Sequence, residues 1–135
     1  MSGPVVVGYV PDPRGRAALR QAVEEARRRG ARLVVVNTSR GDALVDDDFV
    51  QGPALAELRA EVTAAGVDGE VRQPQHGRDV AEELAAVVEE TGAELLVIGL
   101  RRRSPVGKLL MGSAAQRILL GVDCPVLAVK APAGE

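Results

Sequence analysis

The chain predicts an α/β fold, doubly wound, with a five-stranded, mostly parallel sheet and four helices on its two faces, and three observations carry that prediction. Short runs at Val5–Tyr9, Leu33–Asn37, Glu94–Gly99 and Cys124–Lys130 are apolar at nearly every position, as strands buried on both faces are. Amphipathic stretches with helical spacing separate them. Gly and Pro mark the boundaries between the two kinds of segment. Strands that alternate with helices in this way form parallel sheets, and right-handed crossovers then place helices on both faces.

Each element has a local cause. After the first run, Pro11-Asp12-Pro13 opens a helix over Pro13–Arg29, with Asp12 as its N-cap. Leu19, Ala22, Val23 and Ala26 form its apolar stripe, and Arg27-Arg28-Arg29-Gly30 closes it with positive charge and a left-handed-tolerant glycine. Ser39 to Pro53, with Asp46-Asp47-Asp48, reads as a solvated acidic surface loop, and a helix is expected from Ala54 to Ala65, stopped by Gly66. Glu70–Pro74 alternates and ends in proline, which suits a sheet edge. A helix from Arg78 to Thr91 buries Val80, Leu84, Val87 and Val88 and stops at Gly92. The last helix spans Ser113 to Leu120, with Ser113 as a candidate N-cap. The whole chain, 1–135, reads as one domain without internal repeats.

Composition removes several functions. Seventeen basic and nineteen acidic side chains give a formal net charge of −2, which argues against a dedicated nucleic-acid binder. Tyr9 and Phe49 are the only aromatics, so stacking platforms for single strands are missing and a base pocket must be aliphatic. One cysteine, Cys124, excludes an intrachain disulfide, and one histidine, His76, leaves no histidine-based zinc site. Cys124 reads as a small apolar residue beside Asp123, not as a reactive thiol. No apolar run approaches the roughly 20 residues that span a bilayer. The N-terminus lacks the pattern of a signal peptide, and a cytoplasmic home is the expectation.

In a doubly wound sheet the ligand crevice lies beyond the carboxyl ends of the strands, here at Val10–Pro13, Asn37–Arg40, Pro74–Gly77 and Leu100–Gly112. The last of these is the most informative. It leaves a buried strand through Gly99, passes Arg101-Arg102-Arg103-Ser104, Gly107 and Lys108, and enters a helix at Gly112-Ser113. Free amides at a helix start favour phosphate, and arginines add bidentate contacts. It is not a Walker A loop, since Leu109 follows Lys108, and no strand is followed by G-x-G-x-x-G. Arg101-Arg102-Arg103-Ser104 also has the form of a basophilic kinase site, as many arginine-rich loops do.

These residues, continued by Ala114-Ala115-Gln116-Arg117-Ile118-Leu119 and Asp123–Lys130, resemble the universal stress protein family. Arg16-Ala17-Ala18-Leu19 and the order of elements are similar to it as well, so the resemblance covers essentially the whole chain. It implies a three-layer sheet in the order 3-2-1-4-5. It also implies binding of ATP, or of AMP, ADP or cyclic AMP, through G-x2-G-x9-G-[S/T], with Mg2+ accompanying ATP. Homodimers through the last strand, here Pro125 to Lys130, are implied too. That strand is apolar from Pro125 to Val129, and an uncovered apolar edge invites pairing.

Carried onto this chain, Gly99 is the first motif glycine and Gly112-Ser113 the closing pair, while Arg102 replaces the second glycine. Arg102 would cost about 1–2 kcal/mol if a positive φ is needed there. Val10 stands where ATP-binding relatives carry an Asp that meets ribose and metal, with Asp12 two residues later as a candidate substitute. Thr38 would lie near the adenine. The resemblance thus implies a nucleotide site of Gly99, Arg102, Gly112, Ser113 and Gly107, with Val10, Asp12, Thr38, Arg101 and Arg103 around it. The implied function is a nucleotide-responsive stress protein that acts through partner binding. The alternative is a ligand-independent dimeric module that has lost ATP binding, as Val10 and Arg102 suggest. No general base is evident, His76 being alone, so no enzyme is expected.

Overall fold

The computed structural model describes residues 3–38, 47–73, 79–100 and 112–131, with side chains in the second of these from residue 55. The elements run β1 (Val5–Tyr9), α1 (Pro13–Arg29), β2 (Leu33–Asn37), α2 (Asp47–Ala64), β3 (Gly69–Arg72), α3 (Val80–Thr91), β4 (Leu95–Leu100), α4 (Ser113–Gly121) and β5 (Val126–Lys130). The five strands form one parallel sheet in the order β3-β2-β1-β4-β5.

Alternation along the strands divides the core into two layers. Val5, Val7 and Tyr9 face α1 and α2, where Leu19, Ala22, Leu58 and Val62 meet them. Val6, Val34, Val36, Leu96 and Ile98 face α3 and α4, against Leu84, Val87, Val88 and Ile118. Burial on both sides is why β1 and β2 are almost pure valine: a β-branched side chain fits either pleated surface.

The bounds of α1 are those its sequence predicts. Asp12 Oδ1 accepts from the amides of Arg14 (3.0 Å) and Gly15 (3.1 Å), and Gly30 ends the helix at φ 63°. The second helix is different: it begins at Asp47, not Ala54. Asp47 and Asp48 therefore belong to a first helical turn, where carboxylates suit the positive end of the helix dipole, and not to a loop. Asp46 lies outside the described residues. The third helix starts at Val80, later than expected, because Asp79 caps it in a capping box with Glu82. The last strand begins at Val126, after Cys124 and Pro125.

The two outer strands differ in character. On β3, Glu70 pairs with Arg72 (2.6 Å) and Arg32 (2.8 Å), and Arg72 reaches Glu90 (3.2 Å). The Arg72 guanidinium, followed by that of Arg32, holds the Glu70 carboxyl below the usual carboxylate range. On β5, Val126, Leu127 and Val129 are half-buried and Ala128 is exposed.

Candidate functional site

The sheet order reverses between β1 and β4, since β1 is followed by a helix on one face and β4 by a helix on the other. At such a switch point the two connections diverge and leave a crevice. A cleft of about 190 Å3 lies there. Gly8, Val10, Thr38, Ile98 and Gly99 supply its sheet side. Val80 and Leu84 of α3 and Ala114, Ala115 and Ile118 of α4 supply the helical walls. Arg14 of α1 completes it and is the one ionisable residue in the described lining.

Gly99 sits where two chain segments approach closely. A Cβ there would lie 2.2 Å from the carbonyl oxygen of Arg14, so the glycine lets the start of α1 close onto β4. Gly15 likewise allows a close approach to the residue after β1, since a Cβ there would be 1.7 Å from the Val10 carbonyl oxygen. The first motif glycine thus has a packing role that its position in a motif does not reveal.

Gly112, not Ser113, is the N-cap of α4, at φ −72° and ψ 168°. Ser113 is the first helical residue and is exposed. The expected serine cap is therefore corrected by one position. Its consequence matters for the cleft: a glycine cap brings no side-chain oxygen to the first-turn amides, and Ala114 and Ala115 of that turn line the cleft. A Cβ on Gly112 would meet nothing within 4 Å, so this glycine is not required by packing among the described residues.

Asp12 is the cap of α1 and is not among the lining residues. Its Oδ2 also accepts from Arg14 Nε at 3.2 Å, which ties that guanidinium to the helix start. Thr38 is buried, and both its amide (2.8 Å) and its hydroxyl (3.0 Å) donate to the Tyr9 carbonyl. Val10 lines the cleft as an apolar residue, with no carboxylate beside it in the described lining. Arg101, Arg102, Arg103 and Gly107 lie outside the described residues, as do Ser104, Lys108 and His76.

The helical walls are joined across their exposed ends by an ion pair between Arg117 of α4 and Asp79, the cap of α3. The Arg117 guanidinium, helped by the Glu82 amide, holds the Asp79 carboxyl below its ordinary range. Burial pushes the Cys124 thiol up, so it is protonated at neutral pH and a poor nucleophile. Among the described residues no cluster of His, Cys, Asp or Glu has the geometry of a metal site. Nor is any described helix long and apolar enough to cross a membrane.

The structure therefore brings together Val10, Thr38, Gly99 and, from the first turn of α4, Ala114 and Ala115, while Gly112 and Ser113 are not among the described lining residues. It assigns Asp12 to a cap. Arg14 was not anticipated. The only signal for it is a cation placed between a capping Asp and a glycine at the carboxyl end of β1.

The sequence profile of the universal stress protein family matches residues 1–130. A universal stress protein of Mycolicibacterium smegmatis is 51% identical over 126 residues, covering 93% of this chain and 96% of that one. A solved universal stress protein structure from Archaeoglobus fulgidus superposes with a TM-score of 0.79 at 31% identity, covering 96% of this chain and 100% of that one. A structure of the universal stress protein from Archaeoglobus fulgidus in complex with dAMP gives a TM-score of 0.75 at 27% identity, covering 95% and 98%. A profile match over nearly the full length, a half-identical relative and the same five-stranded order agree, and this chain belongs to the universal stress protein family.

Proposed function

We propose that this protein binds an adenine nucleotide in the cleft between β1 and β4, and that occupancy alters its binding to other proteins in a stress response. The observation that carries the reading is the cleft itself. Aliphatic walls face a base without aromatic stacking, while uncapped amides of α4 and a cation attract the anionic end. The Thr38 oxygen, whose proton goes to Tyr9, keeps lone pairs for a donor such as an exocyclic amine. The dAMP held by the relative from Archaeoglobus fulgidus supports the ligand class. Mg2+ fits poorly, because the described lining offers it no carboxylate. The reading asks for no catalytic group, so the protein acts by binding, without turnover, in the cytoplasm.

Calorimetry with dAMP, AMP, ADP, ATP and cyclic AMP tests the reading. Binding of at least one of them with a Kd below about 1 mM is expected. Absence of heat from all five at that concentration overturns it. A ligand-independent module is the second reading, favoured by Val10 where the family resemblance implies a carboxylate.

The protein is proposed to be a homodimer through β5. The charged β3 edge resists strand addition, whereas Val126–Val129 present an apolar strand with one free edge. Leu120, 87% exposed, and Leu119, 38% exposed, stand on α4, the helix that precedes that strand in the chain. A dimeric mass is expected from light scattering at tens of micromolar, reduced to a monomeric mass by Leu127→Lys.

A further inference from the structure

We propose that Arg14 is the specificity-determining residue of the cleft: it takes the ligand's phosphate oxygens and makes binding of a nucleoside monophosphate independent of a divalent metal. This deepens the nucleotide reading and rests on it.

Charge is the first argument. Arg14 is the one ionisable residue in the described lining, and the carboxylate it pairs with, Asp12 at 3.2 Å, stands outside that lining. A cation without an acidic neighbour in the lining favours an anion and disfavours a divalent metal. A nucleoside monophosphate therefore needs no bridging metal to place its phosphate oxygens against Arg14.

Preorganisation is the second. Asp12 Oδ1 is fixed by two backbone amides at the start of α1, so its Oδ2 is a fixed acceptor for Arg14 Nε at 3.2 Å. That bond uses one of the five N–H donors of the guanidinium. Arginine matches phosphate through two parallel bonds, and a side chain already tethered loses less freedom on binding.

Location is the third. The Arg14 backbone is pressed against β4 at Gly99, with its carbonyl oxygen 2.2 Å from where a Cβ would stand. Arg14 lines the cleft from α1 while Ala114 and Ala115 line it from α4. An anion between them meets a cation on one side and helix amides on the other.

The test compares AMP with adenosine by calorimetry, each in excess Mg2+ and in EDTA, for the native chain, Arg14→Gln and Arg14→Lys. The native chain is expected to bind AMP at least about tenfold more tightly than adenosine, equally in both buffers. Arg14→Gln is expected to lose about 10- to 100-fold in AMP affinity with adenosine unchanged, and Arg14→Lys to recover only part of it. An unchanged ratio of AMP to adenosine in Arg14→Gln overturns the proposal, as does AMP binding that EDTA abolishes. Loss of adenosine binding in Arg14→Gln also overturns it, because the residue would then act on the fold. If the native chain binds adenosine and AMP alike, this proposal fails and the nucleotide reading stands. If it binds neither, this proposal fails, and the nucleotide reading fails with it only when dAMP, ADP, ATP and cyclic AMP also give no heat.

Discussion

Gly99→Ala is expected to lower the melting temperature by about 10 °C, an effect of about 3 kcal/mol for a domain of this size. The added methyl would lie 2.2 Å from the Arg14 carbonyl oxygen and 2.7 Å from its carbon, both backbone atoms that cannot rotate aside. The start of α1 must retreat from β4, and the cleft must change shape with it. Gly112→Asp should behave in the opposite way. Open space surrounds the Cβ position, and an Asp at an N-cap is a better cap than Gly by a few tenths of a kcal/mol. The melting temperature should therefore hold or rise slightly. Nucleotide affinity should fall about tenfold or more, since the new carboxylate occupies the amides of α4 and repels the ligand's phosphate. Thermal melts and titrations on the two variants check the pair. Equal destabilisation by both would contradict the division of roles.

Leu84→Ala carries the second large effect. Leu84 is 1% exposed and serves both the α3 side of the core and the cleft wall. Truncating a buried leucine costs about 2–5 kcal/mol, enough to lower the midpoint of urea unfolding substantially. Gly8 gives the experiment a control. A Cβ on Gly8 would stand 3.1 Å from Leu84 Cδ1, tight for a native leucine and harmless beside an alanine. Gly8→Ala should destabilise the native background and be neutral or stabilising in Leu84→Ala. The coupling between the two changes should reach about 1 kcal/mol in a double-mutant cycle.

Legibility in the sequence followed how local each signal was. Residues 5–9 and 33–37 were bounded correctly because burial on both faces leaves an uninterrupted apolar run. For α1, Asp12 and Gly30 announced both ends. The start of α2 departs from its sequence pattern: Gly52-Pro53 looks like a break and Asp46-Asp47-Asp48 like a loop, yet the helix runs through the former and begins at Asp47. For the cleft, the place was legible and the roles were not. Gly112-Ser113 marked the start of α4, but only the backbone angles show which of the two caps it. Gly99 carried a ligand motif in the sequence, and its contact with α1 is a tertiary fact that no local pattern encodes. Arg14 was invisible for the same reason: it reaches the site because glycines at 15 and 99 let three chain segments converge.

The ion-paired outer strand at Gly69–Arg72 bears on more than stability. With one flank of the sheet guarded by charge and the other open, strand-to-strand growth has a single place to begin. Once two chains have joined there, each new flank exposed to solvent is a guarded one, so the ladder cannot lengthen into a filament. In the proposed dimer the asymmetry would act as a terminator that permits a pair and disfavours a fibre.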